Sequence, residues 1–199
     1  TDTVVRIRVP NTGETEFGDL IRGPIKFKNS ELDDWVILRA NQSPTYNFSV
    51  VIDDHDQGMT HVLRGEDHIN NTPKQILLYQ TLGYSVPQFA HLPMILGPDR
   101  SKLSKRHGAA STLEYRQMGF LPIALINFLA RLGWSHGDQE IFTLDELKRV
   151  FSVEHIGKAN AVFGIEKLTW MGGKMMELTS PSELFDYLHK YFIPSIGFL

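Results

Sequence analysis

The chain has 199 residues, 42% of them hydrophobic and 22% charged, with no cysteine and a formal net charge of −3. This profile of a soluble globular chain excludes a disulfide framework and a thiolate metal site. It argues against indiscriminate nucleic-acid binding, and no apolar run reaches the roughly 18 residues of a membrane span. The length allows one large domain or two small ones, and a local basic surface stays open because phosphate contacts act within a Debye length of roughly 8–10 Å.

The N-terminus, TDTVVRIRVP, lacks an initiator Met and a signal segment, so it reads as a cut inside a longer protein. Residues 1–45 read as short strands and turns, with alternation over Thr3 to Val9, a turn at Asn11-Thr12-Gly13, and a strand over Asp33 to Arg39. Tyr46 to Asp53 is predicted as a buried strand, Asp53 to Gly58 as a polar link, and His61 to Arg64 as a second strand. A helix follows, with Thr72 as N-cap, Pro73 at its first position and Gly83 as its stop. His91 to Leu96 reads as a short apolar strand, and this strand–helix–strand order predicts part of an α/β sheet.

Beyond Gly108 the pattern turns helical. A core helix is predicted from Leu121 to Leu132, ending at Gly133, and Thr143 with Glu146 forms a capping-box pair. Another helix is predicted over Ile165 to Glu177 despite Gly172 and Gly173. Ser180-Pro181-Ser182-Glu183 is a further capping box, with Pro at the first helical position, and opens a last helix toward Tyr191. The composition shift near residue 97 marks a domain boundary.

Several stretches could carry chemistry. RSKLSKRHG, Arg100 to Gly108, packs four cations and two hydroxyls into nine positions. Lys102 and Lys105 could hold a phosphate chain and stabilise a pyrophosphate leaving group, with Gly97 and Gly108 as hinges. A solvated basic loop would account for an arbitrary cluster of this kind, and no P-loop pattern is present. Thr60 to Thr72 leaves a strand for a helix N-terminus, where anions are favoured. There Arg64 can fork a carboxylate, and Asp67 and His68 can meet a ribose or base. Tyr46 could equally be packing with a wet hydroxyl. Asp53, Asp54 and Asp56 fail the calcium-loop template, because the twelfth position is Gly65, so a strand-end turn is expected there. Three Asn-x-Ser/Thr triplets, at Asn41, Asn47 and Asn70, read as chance matches.

Taken together these stretches resemble a bacterial-type glutamyl-tRNA synthetase, a class I aminoacyl-tRNA synthetase. Lys102-Leu103-Ser104-Lys105-Arg106 is similar to the second class signature in its KLSKR form. HVLRGEDHINNTPKQILLY, PTYNFSVVIDD and HLPMILGPD supply three more blocks in the expected order. The resemblance implies an α/β fold: the second half of a Rossmann-like catalytic domain followed by a mainly helical stem-contact domain. It implies that residues 1–45 end an acceptor-end insertion and 46–96 complete the nucleotide fold. Residues 97–180 would be the stem-contact domain carrying KLSKR, and 181–199 would start a helical anticodon-binding region.

By the same resemblance, glutamate is activated by ATP as glutamyl-adenylate and passed to tRNA(Glu). Lys102 and Lys105 are the expected catalytic pair. Lys102, Ser104, Lys105, Asp67, His68, Leu92, Met94 and Ile95 are expected at ATP, and Tyr46 and Arg64 at glutamate. Mg²⁺ is expected with ATP and no zinc in this segment. The parent is expected to be a cytoplasmic monomer without membrane contact. The first class signature, His-x-Gly-His, is absent; His155-Ile156-Gly157-Lys158 mimics it but follows KLSKR and lacks the last His. The chain by itself is therefore expected to be inactive. A tRNA-modifying glutamyl transferase, a glutaminyl enzyme and a non-catalytic tRNA-binding paralogue are the alternative readings.

Overall fold

In the computed structural model, which describes residues 3–104 and 111–191, the chain divides into two compact units, Thr1–Leu92 and Pro93–Leu199. The first unit opens with a two-residue strand, β1 (Val5–Arg6), much shorter than the alternation over Thr3 to Val9 suggests. The expected turn before Glu14 then feeds a hairpin, β2 (Glu14–Asp19) with β3 (Gly23–Lys28), paired antiparallel from Glu14↔Lys28 to Asp19↔Gly23. β2 buries Thr15, Phe17 and Asp19 on one face, the period-2 pattern of a half-buried strand. The predicted strand at 33–39 contracts to β4 (Val36–Leu38), which pairs with β1.

Tyr46 to Asp53 is a correction. It is helical, α1 (Tyr46–Asp56), and so are the aspartates expected in a strand-end turn. The β-branched run Val50-Val51-Ile52 suggested a strand, but β-branching costs a helix only a few tenths of a kcal/mol per residue. Burying Val51 completely and packing Phe48 against the core contributes more. The helix is tied to its neighbour by Gln75 Nε2 donating to Asn47 Oδ1 at 3.1 Å. Burial and the Asp54 carboxylate raise the Tyr79 hydroxyl, which therefore stays protonated as a donor to that carboxylate.

β5 (His61–Gly65), a six-residue 3-10 segment (Glu66–Asn71), α2 (Thr72–Leu82) and β6 (Gln88–Leu92) form the expected parallel unit, with pairs from His61↔Gln88 to Gly65↔Leu92. The sheet order is β3-β2-β6-β5, so β6 lies between the hairpin and β5. Asn71, not Thr72, is the N-cap of α2, and it makes no side-chain cap bond. The Thr72 hydroxyl is committed elsewhere, as described below. The predicted strand His91 to Leu96 is also corrected: it splits into β6 and β7 (Ile95–Leu96), which belong to different sheets. Pro93, lacking an N–H, cannot extend the ladder and sits at the break.

The second unit pairs β7 with β8 (Ala161–Val162) and is otherwise helical. It holds α3 (Thr112–Gln117), α4 (Pro122–Arg131), α5 (Leu144–Val150), α6 (Ile165–Leu178) and α7 (Pro181–Tyr191). The core joins Phe128 of α4 to Leu168 and Met171 of α6 with Tyr115 and Phe163. Both predicted capping boxes form, Thr143 with Glu146 and Ser180 with Glu183. α6 tolerates Gly172 because a Cβ there would come within 3.3 Å of the Phe120 ring. The imitation signature at 155–158 is occupied with packing: Ile156 bridges to Trp134, and the Gly157 N–H donates to the Gly133 carbonyl at 2.7 Å. Among the described residues no helix is long and apolar enough to cross a membrane.

Candidate functional site

At the C-terminal ends of β5 and β6 the first unit buries a chain of polar groups. β2 delivers Asp19 to the end of its inward face, where side chains of Asp19 and His91 are fully buried. Asp19 Oδ1 accepts the backbone N–H of Ile21 at 3.0 Å and of Arg22 at 2.8 Å, and Oδ2 accepts that of His91 at 3.0 Å. The second contact of Oδ2 is His91 Nδ1, at 2.6 Å.

On the other side of the ring, Arg64 Nε donates to His91 Nε2 at 3.1 Å. Arginine has no acceptor, so Nε2 must carry the lone pair and Nδ1 the proton. His91 is thus a neutral imidazole, a donor to Asp19 and an acceptor from Arg64.

Arg64 is held at two further points. Nη2 donates to Thr72 Oγ1 at 2.8 Å and to the His68 carbonyl at 3.4 Å. Nη1 is buried and makes no hydrogen bond. An unpaired N–H on a buried cation costs several kcal/mol unless something answers it, so Nη1 marks where an anion or carbonyl oxygen is wanted. Burial lowers the Arg64 guanidinium from its ordinary value, opposed by Tyr46, Asp54 and Tyr79. It stays charged at any ordinary pH.

Tyr46, the first residue of α1, is half exposed, and its ring lies 6.0 Å from that of His68. Tyr46, Arg64 and His68 are therefore brought together. Asp67 is the second residue of the 3-10 segment; a Cβ on Gly65 would sit 2.5 Å from its Oδ1, so glycine permits the carboxylate to lie over the strand end. Leu92 pairs with Gly65 across the sheet. A second clasp comes from the hairpin end: Arg22 Nε donates to the His91 carbonyl at 3.3 Å and its guanidinium pairs with Glu66.

The remaining expected site residues lie in the second unit. The Met94 N–H donates to Asn160 Oδ1 at 3.0 Å and the Met94 carbonyl accepts from the Ala161 N–H at 3.2 Å. A base edge could use that N–H only by displacing Asn160. The Ile95 carbonyl accepts the Leu103 N–H at 3.0 Å, and Lys102 bridges to Leu96, so the strand segment after the basic turn is laid against β7. The turn itself closes through Gly97 N–H to the Ser101 carbonyl, with Arg100 at φ 61 and Asp99 accepting from the Ser101 N–H and hydroxyl. Leu103 packs against the helical core, and the alternation of extended chain leaves Lys102 exposed. Lys105, the stronger of the two expected phosphate ligands, and the hinge Gly108 lie outside the described residues.

Asp19, Arg22, Thr72 and His91 are functional-looking residues that sequence reasoning passed over. One signal was available: an acid at the third inward position of an alternating strand, after Thr15 and Phe17, is expensive unless paired.

The network dictates a pH response. Burial holds His91 below the ordinary imidazole value despite Asp19, with Arg64 and His68 acting in the same direction as burial. Burial would raise Asp19, but hydrogen bonds from Arg22, His91 and Ile21 outweigh it and hold that carboxyl low. For both groups the unfolded chain binds the proton more readily than the native one. Stability is therefore complete above about pH 6.5 and falls as acid approaches the native His91 value, with a further loss from Asp19 below about pH 4. Urea midpoints of the chain between pH 7.5 and 4.5 should fall, and His91→Gln should flatten the part between pH 6.5 and 5. Parallel curves for the two proteins would rule out His91 as the titrating group.

Comparison with known proteins places residues 1–170 in the family model described as tRNA synthetases class I (E and Q), catalytic domain. The glutamate–tRNA ligase of Thermodesulfovibrio yellowstonii is 57% identical over 195 residues, 98% of this chain and 42% of the relative. Glutamate–tRNA ligase 1 of Syntrophus aciditrophicus is 57% identical over 189 residues, 95% and 40% of the two. The crystal structure of a glutamate tRNA ligase from Elizabethkingia meningosepticum in complex with its amino acid superposes with a TM-score of 0.86 at 35% identity, covering 96% of this chain and 42% of that one. The chain thus spans about two fifths of the length of the curated relatives it matches.

Proposed function

Because the chain belongs to the catalytic-domain family of class I tRNA synthetases of the E and Q type, we propose that it is the central part of a glutamate–tRNA ligase. In this reading ATP and L-glutamate react to glutamyl-adenylate and pyrophosphate, and the terminal adenosine hydroxyl of tRNA(Glu) then takes the glutamyl group. The observation that carries it is the Arg64 guanidinium, anchored through Nε and Nη2 while the buried Nη1 makes no bond. A substrate carboxylate answers that N–H, and Tyr46 stands beside it.

In the first unit Arg64 and Tyr46 bind glutamate, and Asp67 and His68 meet the adenosine. Leu92 is assigned to the adenine in the first unit, as Met94 and Ile95 are in the second. In the second unit Lys102, Ser104 and Lys105 hold the phosphates, the two lysines stabilising charge that develops on pyrophosphate. Residues 97–180 contact the tRNA stem by local patches and shape, which the net charge of −3 permits. Residues 1–45 end the acceptor-end insertion, 46–96 complete the nucleotide fold, and 181–199 begin the anticodon-binding region. The whole protein acts as a cytoplasmic monomer. Mg²⁺ accompanies ATP as its counter-ion; among the described residues no group of three His, Asp or Glu side chains is placed to hold a cation.

The full-length protein should exchange labelled pyrophosphate into ATP only when glutamate and tRNA(Glu) are both present. Lys105→Ala should lower that exchange roughly a hundredfold to a thousandfold, the scale of losing one charge-stabilising donor. Exchange that is indifferent to glutamate would dispose of the assignment, and near-normal exchange in the variant would remove Lys105 from its role.

A further inference from the structure

We propose that Asp19 and His91 are positioning residues for the substrate carboxylate: Asp19 holds His91 in its Nδ1–H tautomer, and the lone pair left on Nε2 fixes Arg64 with Nη1 presented to the ligand. This rests on the glutamate-ligation reading and adds two residues to it, neither of which touches substrate.

The geometry allows little else. Asp19 cannot turn away, because its two oxygens already answer the N–H groups of Ile21, Arg22 and His91. Its remaining capacity is filled by His91 Nδ1 at 2.6 Å; the carboxylate, an acceptor-only group, compels Nδ1 to be the donor. Were the ring proton on Nε2 instead, two N–H groups would confront each other over the 3.1 Å that now separates Nε2 from Arg64 Nε. The Thr72 hydroxyl, also 3.1 Å from Nε2, holds the same acceptor and receives Arg64 Nη2 as well. The guanidinium is planar, so fixing Nε and Nη2 fixes the direction of Nη1. The device begins in the β2–β3 hairpin, where Asp19 is 45 residues from Arg64 in sequence (64 − 19).

Asp19→Asn separates this role from simple packing. The amide oxygen keeps the bonds from Ile21 and Arg22 and the longer one, 3.3 Å, from the His91 N–H if the NH₂ faces His91; that orientation gives up only the 3.0 Å bond from the same N–H. The reverse orientation would set that NH₂ against both N–H groups. An NH₂ facing Nδ1 requires Nδ1 to accept, which moves the ring proton to Nε2 and turns it against Arg64. The substitution is isosteric, so the fold has no cavity to lose.

The test uses the full-length protein with ¹⁵N-labelled histidine. Imidazole ¹⁵N shifts should show His91 as Nδ1–H in the unsubstituted protein and Nε2–H in Asp19→Asn. In pyrophosphate exchange, Asp19→Asn should raise the KM for glutamate roughly tenfold to a hundredfold, the effect of losing one hydrogen bond to a charged group, with the KM for ATP within about twofold. His91→Gln, which offers an oxygen in place of Nε2, should recover part of what His91→Leu loses. An Nε2–H tautomer in the unsubstituted protein overturns the proposal, as does a tautomer switch without a change in glutamate KM. A parallel rise in both KM values also overturns it, because that is what a structural role alone would produce. If Asp19→Asn does not fold, the tautomer of the unsubstituted protein and the His91 pair still decide. Should Arg64→Ala leave glutamate KM unchanged while the tautomer switch occurs, the glutamate assignment fails and the Asp19–His91 coupling stands.

Discussion

Arg64→Ala in the full-length protein is expected to raise the KM for glutamate by roughly two to three orders of magnitude, the scale of removing one partner from a buried, hydrogen-bonded charge pair. Two losses combine. The carboxylate forfeits a charge-assisted N–H donor, and its counter-charge disappears from a site with little water to replace it. Arg64→Lys should recover little, because an ammonium cannot bond His91, Thr72 and the His68 carbonyl while still reaching a ligand in the plane of a fork. Initial rates of pyrophosphate exchange at varied glutamate measure the effect. A KM within twofold of the unsubstituted value would show that the unpaired Nη1 does not face the substrate.

The network around Arg64 also shows where reading the sequence reached its limit. Elements set by neighbouring residues were legible: the α2 stop at Gly83, the core helix α4, and the two capping boxes all depend on residues within one or two turns. α1 was misread because its β-branched run favours a strand locally, and the decision came from burying Val51 in the core that residues of α2 and β6 share. Arg64 and His68 were legible together because one strand-to-helix crossing carries both, whereas Tyr46 joined them only through the family resemblance. Asp19 and His91 were not, since their contact closes a separation of 72 residues. A lone histidine in an apolar strand carries no mark of the acid that will meet it. Thr72 illustrates the same limit: its place before Pro73 suggested a cap, yet its hydroxyl serves Arg64 and His91.

A comparable latch holds the second unit, and Asn127→Leu should cost it about 3–5 kcal/mol, since two to three buried polar groups lose their partners at roughly 1–3 kcal/mol each. Asn127 is fully buried on α4. Its Nδ2 donates to the Phe142 carbonyl at 2.9 Å and to the Ile123 carbonyl at 2.9 Å, while Oδ1 accepts the Phe142 N–H at 2.8 Å. Phe142 has no ladder of its own to satisfy those groups, so the side-chain amide stands in for a strand. Leucine matches the volume and leaves packing nearly intact, which confines the loss to the orphaned N–H and C=O. The consequence extends to Glu140, two residues before Phe142, whose carboxylate bridges Arg131 of α4 and Lys167 of α6. Urea unfolding followed by fluorescence reads this directly, because Trp134 packs against Phe142 with ring centroids 5.6 Å apart, whereas Trp35 reports the first unit. A destabilisation under about 1 kcal/mol would mean that water replaces the amide at Phe142. That outcome would shift the hold on the 139–143 segment from Asn127 to the Thr143 capping box and the Glu140 pairs.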